Sequence, residues 1–273
     1  MKRSYSIPQL WWSNVFYIRS WIVLFMKVEL IRGTSQPERL VTRCARGDYR
    51  KDGVGQSSSY EEIMEPIEAK DRWLDRSDTE LEAKKRSMVE RFFKKRHMGP
   101  FEHPSATFAV EGVSRSCMAQ LTRHRHATFD VQSMRYVDFS DFDLGVDEVE
   151  DMELDVLENM LSEHVVVPDE VVEQGGLRDY AETVVQQFER YESMVNSGVP
   201  KEDARMVLPL GTKVNLTFSM NARAIMHLLD MRMKANAQWE IRELSDKVLE
   251  GVKDWMPTTF EIYEDEHPNR LQA

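Results

Sequence analysis

The stretch RHRHATFDVQSMRY, residues 123–136, concentrates positive charge within an acidic chain. It holds three arginines, two histidines and one acidic residue in fourteen positions, although the chain has a formal net charge of −11. Thr128 and Ser133 add short hydroxyl side chains. Arginine suits phosphate because its planar donors match two phosphate oxygens at once. The pattern predicts a site for an anionic small molecule, and phosphate-bearing nucleotides are the natural candidates.

Three other interpretations of this stretch stay open from the residues alone. A run of charged residues is commonly a solvated surface patch. His124 and His126 would lie on one side of an extended segment and, with His97 or His103, could form a metal site. A nucleic-acid groove needs more aromatic residues between the arginines and a basic balance over the domain. The acidic net charge disfavours that last interpretation.

The overall composition is that of a globular protein. Apolar residues make up 41% and charged residues 30% of the 273 positions, which is enough for a sizeable core. The acidic surplus argues against the broad basic face that non-specific nucleic-acid binding needs. Cys44 and Cys117 are the only cysteines. Two cysteines without a spaced framework favour a reducing, cytoplasmic compartment and no disulfide scaffold.

The first 25 residues differ from the rest of the chain. They contain no Asp or Glu, three basic residues and three of the six tryptophans. Their apolar run, Trp21–Met26, is too short to span a bilayer, and no small-residue cleavage site follows it. We expect Met26 to be the functional start and residues 1–25 to be a disordered or mis-annotated extension, with a peripheral membrane anchor as the alternative. Residues 26–265 would then form the functional domain, and residues 266–273 a tail.

The sequence predicts helices and strands in mixed order up to residue 114. In chain order these are a strand at 26–30, a helix led by Pro37, a loop at 51–59, a helix from the capping residues 77–79 to about His97, and a strand at 105–114. Residues 139–164 carry ten acidic residues and no Lys or Arg. We interpret most of that segment as a solvated, variable excursion with helical tendency, and its spacing does not fit a calcium loop.

Clear amphipathic patterns follow in the remaining chain. They predict a helix at 177–196, a helix opened by Pro200 and containing Arg205, an alternating strand at 213–221, a helix from the N-cap Asn221 to about Lys234, and a last helix at about 237–253. We find no internal repeat and no linker that divides the chain. The mixture predicts one α+β domain.

Four segments together resemble one enzyme family. Arg123-His124-Arg125, followed after seven residues by Ser133 and then by Arg135, resembles the signature of flavin-dependent thymidylate synthases. RHMGPFEH at 96–103, DARMVLPLG at 203–211, and NARAIMHLLDMR at 221–232 followed by AQWEI are similar to further segments of that family, in the expected order. The similarity covers roughly residues 26–262.

The resemblance implies a fold, an assembly and an activity. The fold would be a mainly antiparallel sheet flanked by helices, assembled as a homotetramer that binds FAD and converts dUMP to dTMP. Methylenetetrahydrofolate would supply the one-carbon unit, and NADPH would reduce the flavin. The positions that match flavin contacts of the family are His97, Gly99, Arg123, His124, Arg125, Val131, Asn221, Arg223 and His227. The positions that match dUMP contacts are Gln120, Arg123, Val131, Gln132, Ser133, Arg135, Arg205 and Arg232.

Four of these positions depart from the family pattern. Gly99 stands where the family often has Ser or Thr, so only a main-chain contact carries over. Val131 and Gln132 stand where the family frequently has a polar residue followed by Leu, so side-chain contacts do not carry over at Val131. His227 replaces a more usual Asn, and either side chain can donate a hydrogen bond to an adenine or a phosphate.

Arg232 matches the family residue that activates the uracil ring. Hydride addition to uracil builds up negative charge on a carbonyl and a ring nitrogen. A fixed guanidinium aimed there stabilises that charge more in the transition state than in the ground state. The alternative for Arg232 is a surface ion pair, because Asp230 and Glu240 are close in sequence.

Helix periodicity separates Arg232 from the predicted flavin contacts on the same helix. At about 100° per residue, Arg223 and His227 lie within about 40° of each other, whereas Arg232 falls about 180° from Arg223. One helix cannot aim both groups at a single pocket of its own subunit. We therefore predict that each active site is assembled from several chains.

The cysteines argue against the flavin-free route to thymidylate. Enzymes of that unrelated family need a cysteine nucleophile, and neither Cys44 nor Cys117 has their Pro-Cys-His setting. A reduced flavin can deliver hydride directly. We assign Ser133 to substrate positioning because no paired general base is evident in the sequence. A nucleotide- or nucleic-acid-binding protein that kept the fold and lost turnover is the second function class left open.

Overall fold

The computed structural model describes residues 26–48 and 78–266. The predicted extension at 1–25, the predicted loop at 51–59 and, apart from Glu266, the predicted tail at 266–273 lie outside these residues. The strands are β1 (Lys27–Gly33), β2 (Ser105–Ser114), β3 (Ala127–Val131) and β4 (Lys213–Asn221). The α-helices are α1 (Pro37–Gly47), α2 (Asp78–Lys94), α3 (Arg115–Leu121), α4 (Val146–Val149), α5 (Leu154–His164), α6 (Asp169–Glu173), α7 (Leu177–Asn196), α8 (Lys201–Ala204), α9 (Ala222–Arg232), α10 (Trp239–Trp255) and α11 (Pro257–Glu266). Short 3-10 helices cover Gly99–Glu102 and Arg205–Val207.

The four strands form one sheet in the order β1-β2-β4-β3. β1 runs antiparallel to β2, and β3 runs antiparallel to β4 with Ala127 opposite Met220 and Val131 opposite Leu216. Burial alternates along β4, with Leu216 and Phe218 inward, because successive side chains of a strand point to opposite faces. The predicted α+β class with an antiparallel sheet is confirmed.

The described residues separate into two compact units. The sheet unit comprises residues 27–48, 78–111, 117–131 and 215–266, and the helical unit comprises residues 26, 112–116 and 132–214. Each unit is therefore built from separate stretches of chain, and boundaries fall inside β2 and β4. This discontinuity explains why the sequence contains no recognisable linker.

The core of the sheet unit brings α10 onto the sheet. Phe108 of β2 stacks on Phe218 of β4, with ring centroids 4.9 Å apart, and α10 packs against β1. The indole of Trp255 lies so close to β1 that a Cβ on Gly33 would come within 2.7 Å of its Cδ1. The same indole Nε1–H donates to Thr34 O at 3.0 Å. A side chain at position 33 would therefore displace both the indole and its hydrogen bond.

A buried carboxylate joins α1 to α11. Glu38 accepts a hydrogen bond from the Thr259 N–H in the first turn of α11 at 2.9 Å, and Lys85 Nζ lies 3.3 Å from its other oxygen. The prediction that the last helix ends near Lys253 is wrong, because α10 continues to Trp255 and α11 follows it. Proline suits the first turn of a helix, where its missing N–H needs no partner, so Pro257 begins α11.

The helical unit is organised around α7, against which α4, α5, α6 and α8 pack. The predicted apolar face of α7 is buried, including Val184 and Phe188. The helical tendency of residues 139–164 is confirmed by α4 and α5. The expectation that most of this segment is solvated is wrong, because Leu157 and Leu161 are fully buried in one core with α7. Their four-residue spacing forms an inward stripe, and the acidic residues around it concealed that stripe in the sequence.

Two predicted boundaries also move. β1 extends to Gly33 rather than ending at Leu30, and α2 ends at Lys94, three residues before the predicted stop at His97. Both helix and strand ends commonly differ by a few residues from a pattern-based estimate. Within residues 26–48 and 78–266, every helix is too short or too polar to traverse a bilayer.

Candidate active site

The signature segment folds as helix, turn and strand rather than as one extended segment. α3 ends at Leu121 and β3 begins at Ala127, with turns between them. His124 is buried, at 7% exposed, whereas His126 is exposed. The two histidines therefore do not share one side, as an extended segment would require. Among the residues that the structure describes, no three His, Cys, Asp or Glu side chains are grouped so that they could hold a metal ion.

Arg232, the last residue of α9, reaches the signature segment within the sheet unit. Its Nε donates to His124 Nε2 at 3.0 Å, and its Nη2 donates to the carbonyl of Gln120 at 2.9 Å. Asp230, the nearer of the two acidic residues considered as ion-pair partners, instead accepts from the Tyr263 hydroxyl at 2.7 Å. The guanidinium thus donates to two neutral acceptors.

His124 lies between two basic side chains. Its ring meets that of His227 edge-on, with centroids 6.1 Å apart, and Arg232 approaches its Nε2. Burial lowers the pKa of His124 to about 4, and the neighbouring Arg232 and His227 contribute to that shift. At neutral pH the imidazole is uncharged, so it can accept a hydrogen bond from the guanidinium.

The N-terminal half of α9 positions the other predicted flavin contacts of this helix. Asn221 caps α9, because its side-chain oxygen accepts from Ala224 N at 2.8 Å. Arg223 is exposed and forms an ion pair with Glu102. Arg223 and Arg232 therefore have different partners, as their predicted separation of about 180° requires. His227, however, shares His124 with Arg232, which the angular argument did not foresee.

The predicted flavin contacts at His97 and Gly99 lie after α2. His97 Nε2 is 3.2 Å from Asp48 Oδ2, and the imidazole meets Phe92 edge-on at 5.8 Å between centroids. Gly99 begins a 3-10 helix, and a Cβ built on it would have no heavy atom within 4 Å. A Ser or Thr would therefore fit, so nothing in the fold of this region requires glycine at position 99.

The predicted dUMP contacts are distributed over both units. Gln120, Arg123, Val131 and Arg232 belong to the sheet unit, and Gln132, Ser133, Arg135 and Arg205 belong to the helical unit. Val131 is the last residue of β3 and lies opposite Leu216. In the sheet unit the side chain of Gln120 lies 3.5 Å from that of Gln238, the N-cap of α10.

In the helical unit, Glu202 brings two of these arginines together. Arg135 Nε donates to the Glu202 carboxylate at 2.7 Å, and Arg205 Nε donates to the Glu202 main-chain carbonyl at 3.0 Å. Sequence reasoning missed Glu202 and also Arg115, whose pKa is lowered by burial and by the nearby charge of Arg205. Three arginines and one carboxylate leave net positive charge there, which suits an anion. Neither missed residue belongs to a recognisable motif, so no local signal pointed to it.

The cysteines are poor nucleophiles in this fold. Cys117 on α3 is fully buried, and burial, with a smaller contribution from Glu240, raises the pKa of its thiol far above the ordinary value. Burial also raises the pKa of Cys44, which is half-buried. The thiolate is the reactive form of cysteine. Both thiols are therefore held in the unreactive state, as the sequence argument against a cysteine mechanism requires.

Comparison with known proteins supports the resemblance found in the sequence. Residues 29–258 match the family model described as thymidylate synthase complementing protein. The chain is 45% identical to the flavin-dependent thymidylate synthase of Haloarcula marismortui over 254 residues, covering 90% of this chain and 98% of that protein. It is 42% identical to that of Halobacterium salinarum over 260 residues, again covering 90% and 98%.

Solved structures share the fold at lower sequence identity. Thymidylate synthase X from Helicobacter pylori, solved with FAD and dUMP, has a TM-score of 0.61 and 21% identity, covering 91% of this chain and 100% of that chain. The UMP/dUMP methylase PolB from Streptomyces cacaoi has a TM-score of 0.63 and 22% identity, covering 88% and 95%. The family model matches most of the chain, and the chain covers nearly the whole length of the two relatives from Haloarcula and Halobacterium. This chain therefore belongs to the flavin-dependent thymidylate synthase family of methyltransferases.

Proposed function

We propose that this protein converts dUMP to dTMP with bound FAD, methylenetetrahydrofolate as the one-carbon donor and NADPH as the reductant. The observation that carries the proposal is the guanidinium of Arg232, which donates to two neutral acceptors, His124 of the signature segment and the carbonyl of Gln120 just before it. Such a group is suited to stabilise negative charge that develops on a uracil ring. Membership of the family gives the reaction in which that charge would develop.

The residues present fit a flavin dinucleotide. Arg123, Arg125, Arg223 and His227 are exposed on the sheet unit, and a dinucleotide offers two phosphates for such donors. The family resemblance adds His97, Gly99, His124, Val131 and Asn221 to the flavin set. When bound and reduced, the flavin supplies the hydride. The N-cap bond of Asn221 fixes where α9 begins, and with it the position of Arg223 on the helix.

The proposed roles toward dUMP follow from the chemistry of each group. Arg135 and Arg205 in the helical unit are suited to the phosphate, and Ser133 contributes a short hydroxyl. Its Oγ lies 3.4 Å from Arg135 N, from which it accepts a hydrogen bond. Gln120, Arg123, Val131 and Gln132 complete the proposed dUMP set. Arg232 orients the uracil and stabilises the charge that forms on it, while the protonated thiol of Cys117 takes no part.

We further propose a cytoplasmic homotetramer in which active sites are shared between chains and nucleic acid and membranes are not partners. The support for shared sites is the opposite placement of Arg223 and Arg232 on α9, where they have different partners within one chain. Their Cβ atoms leave α9 on opposite sides, and each guanidinium is held by a different part of the same chain. Sedimentation of the purified protein, followed by mixing of inactive R223A and R232A variants, tests this point. Recovery of activity in mixed oligomers would support shared sites, and activity in a stable monomer would contradict them.

The function itself is tested on the purified full-length chain. We expect flavin absorbance in the visible range, NADPH oxidation that depends on dUMP, and dTMP formation only when methylenetetrahydrofolate is present. Arg232→Ala should retain flavin absorbance and lower turnover by roughly 10²- to 10³-fold. A colourless protein that ignores added FAD and dUMP would refute the proposal. A protein that binds dUMP and FAD but never forms dTMP would instead support the second class, a nucleotide-binding protein without turnover.

A further inference from the structure

His124 is placed differently from its neighbours in the signature. Arg123, Arg125 and His126 are exposed, whereas His124 is 7% exposed. Its Nε2 accepts the Nε–H of Arg232 at 3.0 Å. A neutral imidazole has one acceptor nitrogen, so this bond uses the only acceptor that the ring has. The acceptor nitrogen of His124 is therefore committed to Arg232.

The guanidinium of Arg232 is held along one edge. Nε is used by His124, and one hydrogen of Nη2 is used by the carbonyl of Gln120. The remaining donors, both on Nη1 and one on Nη2, have no partner among the described residues. Because a guanidinium is planar, two bonds along one edge fix the direction of the opposite edge. That opposite edge is the part able to contact a substrate.

We propose that His124 is a positioning residue, which accepts a hydrogen bond from Arg232 and, with the Gln120 carbonyl, fixes the guanidinium so that its outer edge meets the uracil ring of dUMP. This inference rests on the proposed function. It assigns His124 to Arg232 instead of to the flavin, which is where the family resemblance places it. A loss of alignment at the reacting group lowers the rate of the chemical step more than it weakens substrate binding.

The protonation state of His124 fits this role. Burial and the adjacent basic groups, Arg232 and His227, lower the pKa of His124 to about 4. The imidazole is consequently neutral at pH values where an enzyme of this class would work. A protonated imidazole has no acceptor nitrogen, and its charge would repel the guanidinium.

A double-mutant cycle tests the proposal in the full-length protein. His124→Met removes the acceptor and keeps most of the apolar volume, and His124→Gln restores an acceptor oxygen near the position of Nε2. We expect His124→Met to lower kcat roughly 10- to 100-fold while KM for dUMP changes less than about 3-fold. His124→Gln should recover most of that loss. In an Arg232→Ala background, His124→Met should change kcat less than about 2-fold, since the group it positions is gone.

Two controls separate this role from a structural one or a flavin contact. His126→Met makes the same substitution two residues away at an exposed position and should leave kcat unchanged. The ratio of bound FAD to protein, read from visible absorbance, should be equal in wild type, His124→Met and Arg232→Ala. Equal effects of His124→Met with and without Arg232 would overturn the proposal. So would a loss of FAD in His124→Met that Arg232→Ala does not share.

A second measurement does not need a folded His124 variant or turnover. NMR titration of the His124 imidazole should show a higher pKa in Arg232→Ala than in wild type, because removal of the nearby positive charge favours protonation. An unchanged titration would overturn the proposed contact. If the wild type binds dUMP but lacks all turnover, the proposed function fails, whereas this titration still reports whether His124 and Arg232 are coupled.

Discussion

The burial of a neutral histidine makes the stability of this protein sensitive to acid in a defined range. His124 has a pKa of about 4 in the folded state, against an ordinary value of 6.5. Above pH about 6.5 the side chain is neutral in both the folded and the unfolded state, so it has no effect there. As the pH falls below that value, the unfolded chain binds the proton preferentially, and the free energy of unfolding decreases until the pH passes the folded-state pKa.

The size of this effect follows from the two pKa values. Their difference corresponds to about 3 kcal/mol when the transition is complete, and to about 2.5 kcal/mol at about pH 4.5. Other groups titrate in the same range, so the wild type alone is not informative. His124→Gln provides the comparison, because glutamine does not titrate.

Urea unfolding of the two proteins, each at about pH 7 and about pH 4.5 and at one protein concentration, isolates the contribution of His124. We expect wild type to lose about 2.5 kcal/mol more than His124→Gln between these pH values. His126→Gln, in which an exposed histidine is replaced, should lose stability in parallel with wild type. If wild type and His124→Gln lose the same amount, the reasoning from burial is refuted.

Three further predictions test the packing and the chemistry. Gly33→Ala should lower the free energy of unfolding by about 1–3 kcal/mol, because the new methyl overlaps the indole of Trp255. The control is Gly251→Ala in α10, where the nearest atom to a new Cβ is 3.6 Å away, and it should be neutral or stabilising. Equal effects of the two variants in chemical denaturation would contradict this prediction. Glu38→Ala should lower the free energy of unfolding by about 2–3 kcal/mol in the same assay, because it leaves the buried Thr259 N–H of α11 without its acceptor. A smaller decrease than that of a substitution at an exposed glutamate would contradict the role given to this buried carboxylate. Replacement of Cys44 and Cys117 together by alanine should leave dTMP formation per folded enzyme within about 2-fold of wild type; abolished turnover in folded protein would point to a thiol nucleophile.

The fold was predictable where local patterns act alone. The alternation of β4, the apolar face of α7 and the cap at Asn221 are each set by residues close in sequence, and the structure contains all three. α3 and β3 are shorter, at seven and five residues, and the sequence did not predict them. A strand as short as β3 depends on its partner, and its pairing with β4 joins residues about ninety positions apart. Local propensity carries no information on such a pairing.

The candidate site shows the same division. The signature arginines and Arg232 were identified from sequence, whereas the bond between Arg232 and His124 joins residues 108 positions apart. Glu202 was missed because its role is to accept from Arg135, a contact that only the folded helical unit creates. In residues 139–164, ten acidic residues alternate with nine apolar residues that belong to or pack against the core of that unit, so the apolar pattern was not recognised in the sequence.

Helix periodicity predicts the direction of a Cβ and not the end point of a long side chain. His227 and Arg232 are about 140° apart by periodicity, yet both contact His124. The flexible stem of arginine allows this, since it carries the guanidinium well beyond the helix surface. His227 therefore gives no support to sites shared between chains. Arg223 does, because it forms its ion pair with Glu102 on a different element from the one that holds Arg232. The argument for shared active sites depends on Arg223 alone, and exchange of chains between R223A and R232A oligomers is for that reason the comparison that decides it.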